Sequence, residues 1–135
     1  MRIGNILSEE AGLRSGVPQG SVMGPLLFLI FISDLGQDLD EGICRILKYV
    51  DDSKILAEAN NFNEVESLQE NLNKIYCWAT KNSMKWNSLK FQMLRLGRNQ
   101  EFKDSTFFFT PEYSDIIEHK EVIKDLGVMV DDKLS

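Results

Sequence analysis

The sequence predicts an α+β domain, and three observations carry that expectation. From Val65 to Ala79 the apolar residues Val65, Leu68, Leu72, Ile75 and Ala79 recur at three- and four-residue steps, the spacing of one helix face. From Leu26 to Leu35 the chain is apolar on nearly every side, as in a helix covered by several neighbours. The remaining apolar stretches are brief and interrupted by Gly, Asp or Ser, which is strand punctuation. At 135 residues and 43% hydrophobic composition the chain has the size of one domain and enough apolar mass for a core, so disorder is excluded.

Taken in order, Ile3 to Leu13 reads weakly as a strand and ends in the turn chemistry of Arg14-Ser15-Gly16-Val17-Pro18-Gln19-Gly20-Ser21. Gly24-Pro25 opens the first helix, because proline lacks only an N–H that the first turn leaves unpaired anyway. Gly36, Asp38 and Asp40 mark its exit. Ile46 to Val50 and Ile55 to Ala57, split by Asp51-Asp52-Ser53, form a hairpin pattern. Asn61 and Glu64 are spaced as a capping pair for the helix that follows. Phe91 to Leu96, Thr106 to Thr110, and Val122 to Val130 interrupted at Gly127 read as further strands. There is no internal repeat and no low-complexity linker.

Composition narrows the function less than it narrows the fold. A net charge of -6 and a pI near 4.8 give no overall support for nucleic-acid binding. The sign is uneven, however: Lys74, Lys81, Lys85, Lys90, Arg95 and Arg98 fall in a stretch without Asp or Glu, interleaved with Tyr76, Trp78, Trp86 and Phe91. Such a segment either follows a phosphate backbone or is a helix and strand with a solvated cationic face. Cys44 and Cys77 lack a CxxC spacing, so neither a zinc site nor a disulfide framework is implied, and reduced intracellular thiols are expected. The apolar run Leu26 to Ile32 is far shorter than the roughly 20 residues of a membrane span, and the first residues do not have the pattern of a signal peptide.

The chemistry lies in carboxylates. Tyr49-Val50-Asp51-Asp52 places two of them at a hairpin bend, free to face a common point, and hard divalent cations take such oxygen ligands. A pair of ions held this way serves nucleotidyl transfer. The chain supplies its own control in Val128-Met129-Val130-Asp131-Asp132, an apolar strand pattern ending in two aspartates with no reason to be catalytic. His119, alone beside Glu118, is a surface residue rather than a ligand.

What separates Asp51-Asp52 from the control is its company. Ser15-Gly16-Val17-Pro18-Gln19-Gly20-Ser21-Val22-Met23-Gly24-Pro25-Leu26-Leu27-Phe28, followed by Tyr49-Val50-Asp51-Asp52-Ser53-Lys54, closely resembles the reverse transcriptases of non-LTR retrotransposons, in particular the chicken-repeat-type LINE elements. Met84-Lys85-Trp86-Asn87 with Lys90, then Met93 to Asn99, and Lys124-Asp125-Leu126-Gly127-Val128 resemble the next two blocks of that family, so the resemblance covers nearly the whole chain. It implies part of a polymerase palm: a small antiparallel sheet carrying the catalytic hairpin at its centre, backed by two helices, with residues 1–135 lacking the fingers, the first catalytic aspartate and the thumb.

The resemblance also implies roles. Asp51 and Asp52 become two of three metal-binding aspartates, holding two Mg2+ ions, with Mn2+ as an alternative. Gln19 lies beside the incoming nucleotide and Gly20 lets the backbone approach it; Tyr49 and Val50 sit near the primer end and nucleotide; Lys90 approaches the phosphates. The Leu126-Gly127-Val128 stretch resembles the one that supports the primer strand, with a structural role expected of it first. RNA template, DNA primer and deoxynucleotide are the implied partners, together with the missing fingers and thumb, in a ribonucleoprotein of nucleus or cytoplasm. Val50, Ser53, Trp86 and Phe91 depart from the family's usual residues, and the last two bear on the packing around Lys90. The isolated chain is expected to be inactive and, with apolar faces such as Leu26 to Ile32 partly uncovered, marginally stable. A non-catalytic relic, or a domesticated nucleic-acid-binding protein, is the alternative reading.

Overall fold

The computed structural model describes residues 2–7, 12, 16, 20–40, 42–97, 102 and 104–133. Among these described residues, two helices and eight short strands confirm the α+β class. The chain divides into two compact units, Met1–Ser33 and Asp34–Ser135.

In the first unit, strands β1 (Arg2–Ile3) and β2 (Ile6–Leu7) pair antiparallel, and helix α1 follows at Met23–Phe31. The Ser21 hydroxyl accepts the Gly24 N–H at 2.9 Å, and Pro25 sits in the first turn as anticipated. The helix begins and ends a turn earlier than Leu26 to Leu35. Leu26, Leu27, Leu29 and Ile30 remain 47–62% exposed, an apolar face left partly uncovered, whereas Ile32 and Leu35 just past the helix are buried. Within this unit a pair of two-residue strands is too small to cover a helix that is apolar all round.

The second unit is built on helix α2 (Phe62–Lys81). Its cap is the one read from the sequence: the Asn61 side chain accepts the Glu64 N–H at 3.0 Å, and the Glu64 carboxylate accepts the Asn60 N–H at 2.6 Å. Strands β3 (Cys44–Tyr49) and β4 (Asp52–Ala57) form an antiparallel hairpin with Cys44 opposite Ala57 and Tyr49 opposite Asp52. Strand β5 (Gln92–Leu94) pairs parallel with β6 (Glu118–Lys120), while β7 (Val122–Asp125) and β8 (Val128–Asp131) form a second antiparallel hairpin. The four pairs stay separate, so the hairpin bearing Asp51 and Asp52 is a two-stranded sheet of its own rather than the centre of a continuous antiparallel sheet. Strands of two to six residues present too few ladder positions to recruit further neighbours.

The core gathers Leu72 of α2 with Phe107, Phe109 and Ile117, and Ile55 of β4 packs against it, as do Tyr76, Trp86, Phe91 and Met93. Phe109 is the hub: Phe91 stacks on it at 3.9 Å, and Tyr76 and Trp86 meet it edge-on at 5.6 and 6.0 Å. The expected strand Thr106 to Thr110 is absent as such. Both backbone groups of Phe108 are taken by the Gln69 side chain, at 2.8 and 2.9 Å, leaving only an isolated bridge to Ile116.

Candidate active site

One face of the β3–β4 hairpin is anchored to the rest of its unit. Alternation along the strands sends Cys44, Ile46, Lys48, Ser53 and Ile55 to one face. There Cys44 is buried, Ile55 joins the core, and the Lys48 ammonium donates to the Leu35 carbonyl at 3.0 Å. Gly36, with φ of +89°, passes so close that a Cβ would meet Ile46 Cγ2 at 2.5 Å, so both its conformation and its lack of a side chain are required. The other face carries Arg45, Leu47, Tyr49, Asp52, Lys54 and Leu56, of which Tyr49 is 63% exposed.

At the tip the turn residues are Val50 and Asp51, while Asp52 belongs to the ladder opposite Tyr49. The break is thus one residue earlier than Asp51-Asp52-Ser53. Val50 takes φ of +54°, which β-branched side chains rarely adopt. Outliers of this kind cluster at functional sites and persist only where the surroundings enforce them. Sequence reading gives no signal for this strain, because it belongs to the two-residue loop that the register leaves between Tyr49 and Asp52. Asp51 and Asp52 are both exposed.

The control pair behaves differently. Asp131 and Asp132 lie at the open end of the β7–β8 hairpin, where Asp131 accepts the Lys133 N–H at 3.2 Å and Asp132 donates its N–H to the Glu121 carbonyl at 3.0 Å. They finish a strand, whereas Asp51 and Asp52 crown a closed turn. His119 is exposed on β6, and both cysteines are free.

The structure brings Tyr49, Val50, Asp51 and Asp52 together. Lys90 is exposed on a separate element, the 3-10 turn Ser88–Lys90, whose N–H donates to the Asn87 carbonyl at 2.9 Å. Trp86 and Phe91, the departures flanking it, are core residues 5.6 Å apart edge-on. Gln19 lies outside the described residues; Gly20 is exposed, with φ of +81°. Of the aromatics interleaved with the basic stretch, Tyr76, Trp86 and Phe91 are spent in the core and Trp78 donates to Asp34 at 3.1 Å. They do not form a stacking platform; Lys74, Lys81, Lys85 and Lys90 are the exposed part of that stretch.

Lys54 and Asp125 lie within the motif blocks, where the resemblance implies no role for either. They form an ion pair of 2.5 Å, with side chains 35% and 29% exposed. The partner of Lys54 is 71 residues away, a relation that local spacing does not encode.

Two exposed carboxylates at a tight turn suit a hard divalent cation, since magnesium is held by one or two carboxylates plus substrate phosphates. Among the described residues no third acid, His or Cys joins them in a ligand cluster. Among the described residues no helix is long and apolar enough to cross a membrane.

Comparison with known proteins fixes the class. The family model for reverse transcriptase (RNA-dependent DNA polymerase) matches residues 2–130, and the chain belongs to that family, one of nucleotidyltransferases. The chain is similar to the RNA-directed DNA polymerase from mobile element jockey of Drosophila melanogaster, 32% identical over 91% of this chain and 14% of that protein. It is also similar to the probable RNA-directed DNA polymerase from transposon BS of Drosophila melanogaster, 35% identical over 67% of this chain and 11% of that protein. A jockey polymerase of Drosophila funebris is 38% identical over 56% of this chain and 8% of its own length. These relatives are polymerases of non-LTR elements, the group indicated by the motif blocks, and the chain spans about a tenth of their length. No solved structure matches.

Proposed function

We propose that this chain forms the part of an RNA-directed DNA polymerase palm that carries two of the metal-binding aspartates. The observation that supports it most is the tip of the β3–β4 hairpin, where Tyr49, Val50, Asp51 and Asp52 occupy a strained two-residue turn with both carboxylates open to solvent. Asp51 and Asp52 would hold the divalent cation, Mg2+ or Mn2+. The ion, when bound, lowers the pKa of the primer hydroxyl and neutralises phosphate charge.

The remaining contributions come from the chain itself. Ile55, Gly36 and the Lys48–Leu35 hydrogen bond hold the hairpin so that its carboxylates need no reorganisation when they meet substrate. Tyr49, on the Asp52 face, offers an exposed ring beside the primer end and nucleotide. Lys90 would supply a cation for phosphate and the exposed lysines of α2 would follow a nucleic-acid backbone, while a nucleotide role for Gln19 and Gly20 rests on the motif resemblance alone.

Manganese binding tests the reading directly. Mn2+ titrated into the isotope-labelled chain should broaden the amide signals of residues 49–53, and Asp51→Asn or Asp52→Asn should remove the effect. Broadening centred on Asp131 and Asp132 instead would overturn the assignment. With only two carboxylates gathered among the described residues, the 135-residue chain should extend no primer. Extension that Asp51→Asn abolishes would overturn that expectation, whereas nucleic-acid binding indifferent to Asp51→Ala would favour a non-catalytic protein.

A further inference from the structure

The Lys54–Asp125 ion pair joins two elements that backbone pairing leaves apart. Hairpins β3–β4 and β7–β8 are separate two-stranded sheets, so no hydrogen-bond ladder sets one against the other. A side-chain link must then contribute to their alignment, and this pair is one, closed at 2.5 Å. Its position on each hairpin is informative. Lys54 shares a face with Asp52 and Tyr49 and stands two residues, ~7 Å, along the strand from Asp52. Asp125 is the last residue before the Leu126–Gly127 turn, where φ values of +46° and +89° close a tight two-residue loop onto Val128. The link therefore spans from the carboxylate tip of one hairpin to the turn of the other.

We infer that Lys54 is a positioning residue: its ion pair with Asp125 holds the Leu126–Gly127 turn at a fixed separation from Asp52. This rests on the polymerase reading above, in which Asp52 binds metal and the Leu126-Gly127-Val128 stretch supports the primer whose end must reach that metal. The pair also has a local effect. An unpaired ammonium two positions from Asp52 on the same face is within reach of that carboxylate and competes with a cation for it; engagement with Asp125 keeps Asp52 open. The contribution is one of geometry rather than stability, because partly exposed ion pairs add little to folding.

The test reads geometry in the folded chain and needs no metal. A nitroxide is attached at Asp51→Cys in a Cys77→Ser background, Cys44 being buried, and the broadening of the Asp125, Leu126 and Gly127 amide signals is measured. With Lys54 present these signals should be strongly broadened. Lys54→Gln and Asp125→Asn should each reduce the effect severalfold, the double variant should lose no more than either, and Lys54→Arg should restore it. The charge-swapped pair, Lys54→Asp with Asp125→Lys, should restore it too, which separates lost pairing from lost folding. Undiminished broadening in Lys54→Gln, with the Phe107, Phe109 and Ile117 signals still native, overturns the inference. Failure of the metal reading shows elsewhere, as Mn2+ leaving residues 49–53 of the unlabelled chain unaffected.

Discussion

Val50 is where one residue matters most at the hairpin tip. A left-handed φ costs an ordinary side chain roughly 1–2 kcal/mol, while glycine loses about 0.5–1 kcal/mol through its greater freedom when unfolded. Val50 is 55% exposed, so little packing is lost on truncation. Val50→Gly should therefore raise stability by up to about 1 kcal/mol in denaturant melts, and a loss of stability would mean that the valine side chain has partners worth more than the strain. Cys44 and Cys77 make a second contrast. Burial, and then Asp40, push the Cys44 thiol up from its ordinary 9.0 against the opposing Lys74. The folded chain thus keeps the proton after the unfolded chain has lost it. Stability from this residue is full below 9.0 and declines as pH climbs from there toward the raised value. At neutral pH a thiol reagent should modify exposed Cys77 promptly and Cys44 only on unfolding; equal rates would contradict this.

Among the elements, α2 was the most legible because its information is local. The apolar period and the Asn61–Glu64 pair both lie within its own residues, and the structure realises both. Asn61→Ala should cost about 1 kcal/mol of stability, measured by thermal or urea denaturation, with Glu64→Gln costing less because an amide still reaches back to the Asn60 N–H. Unchanged stability in Asn61→Ala would show that the first turn is held by packing alone. The β3–β4 and β7–β8 hairpins were legible for the same reason, to within a residue at their turns, whereas the β1–β2 pair was not, Ile3 to Leu13 reading as one strand. Thr106 to Thr110 was not, because Phe108 in its middle gives both backbone groups to the Gln69 side chain, 39 residues away. Trp86 and Phe91, interleaved with the lysines of the segment that could follow a phosphate backbone, are drawn onto Phe109, whose place in the core no local pattern reveals.

For the molecule as a whole, the outstanding feature is apolar surface. Helix α1 leaves Leu26, Leu27, Leu29 and Ile30 about half exposed, and such a contiguous patch favours association. The wild-type chain should self-associate with rising concentration in light scattering, and Leu29→Lys with Ile30→Lys should reduce this markedly while the melting of the Phe109 core is unchanged. A wild-type chain that stays monomeric at high concentration would show that α1 is covered in solution. The exposed patch accords with the short span of this chain relative to its relatives, in which far more polypeptide is present.

The sequence by itself determined the α+β class, both helices, the hairpin that carries Asp51 and Asp52 and membership of the reverse transcriptase family, since each is written in periodicity, caps or contiguous motif residues. Only the tertiary structure decided that the strands stay in four separate pairs, that Val50 bears the strain of the turn, and that Lys54 reaches Asp125. Those outcomes depend on what residues far apart in the chain offer one another in space, and no local spacing specifies them.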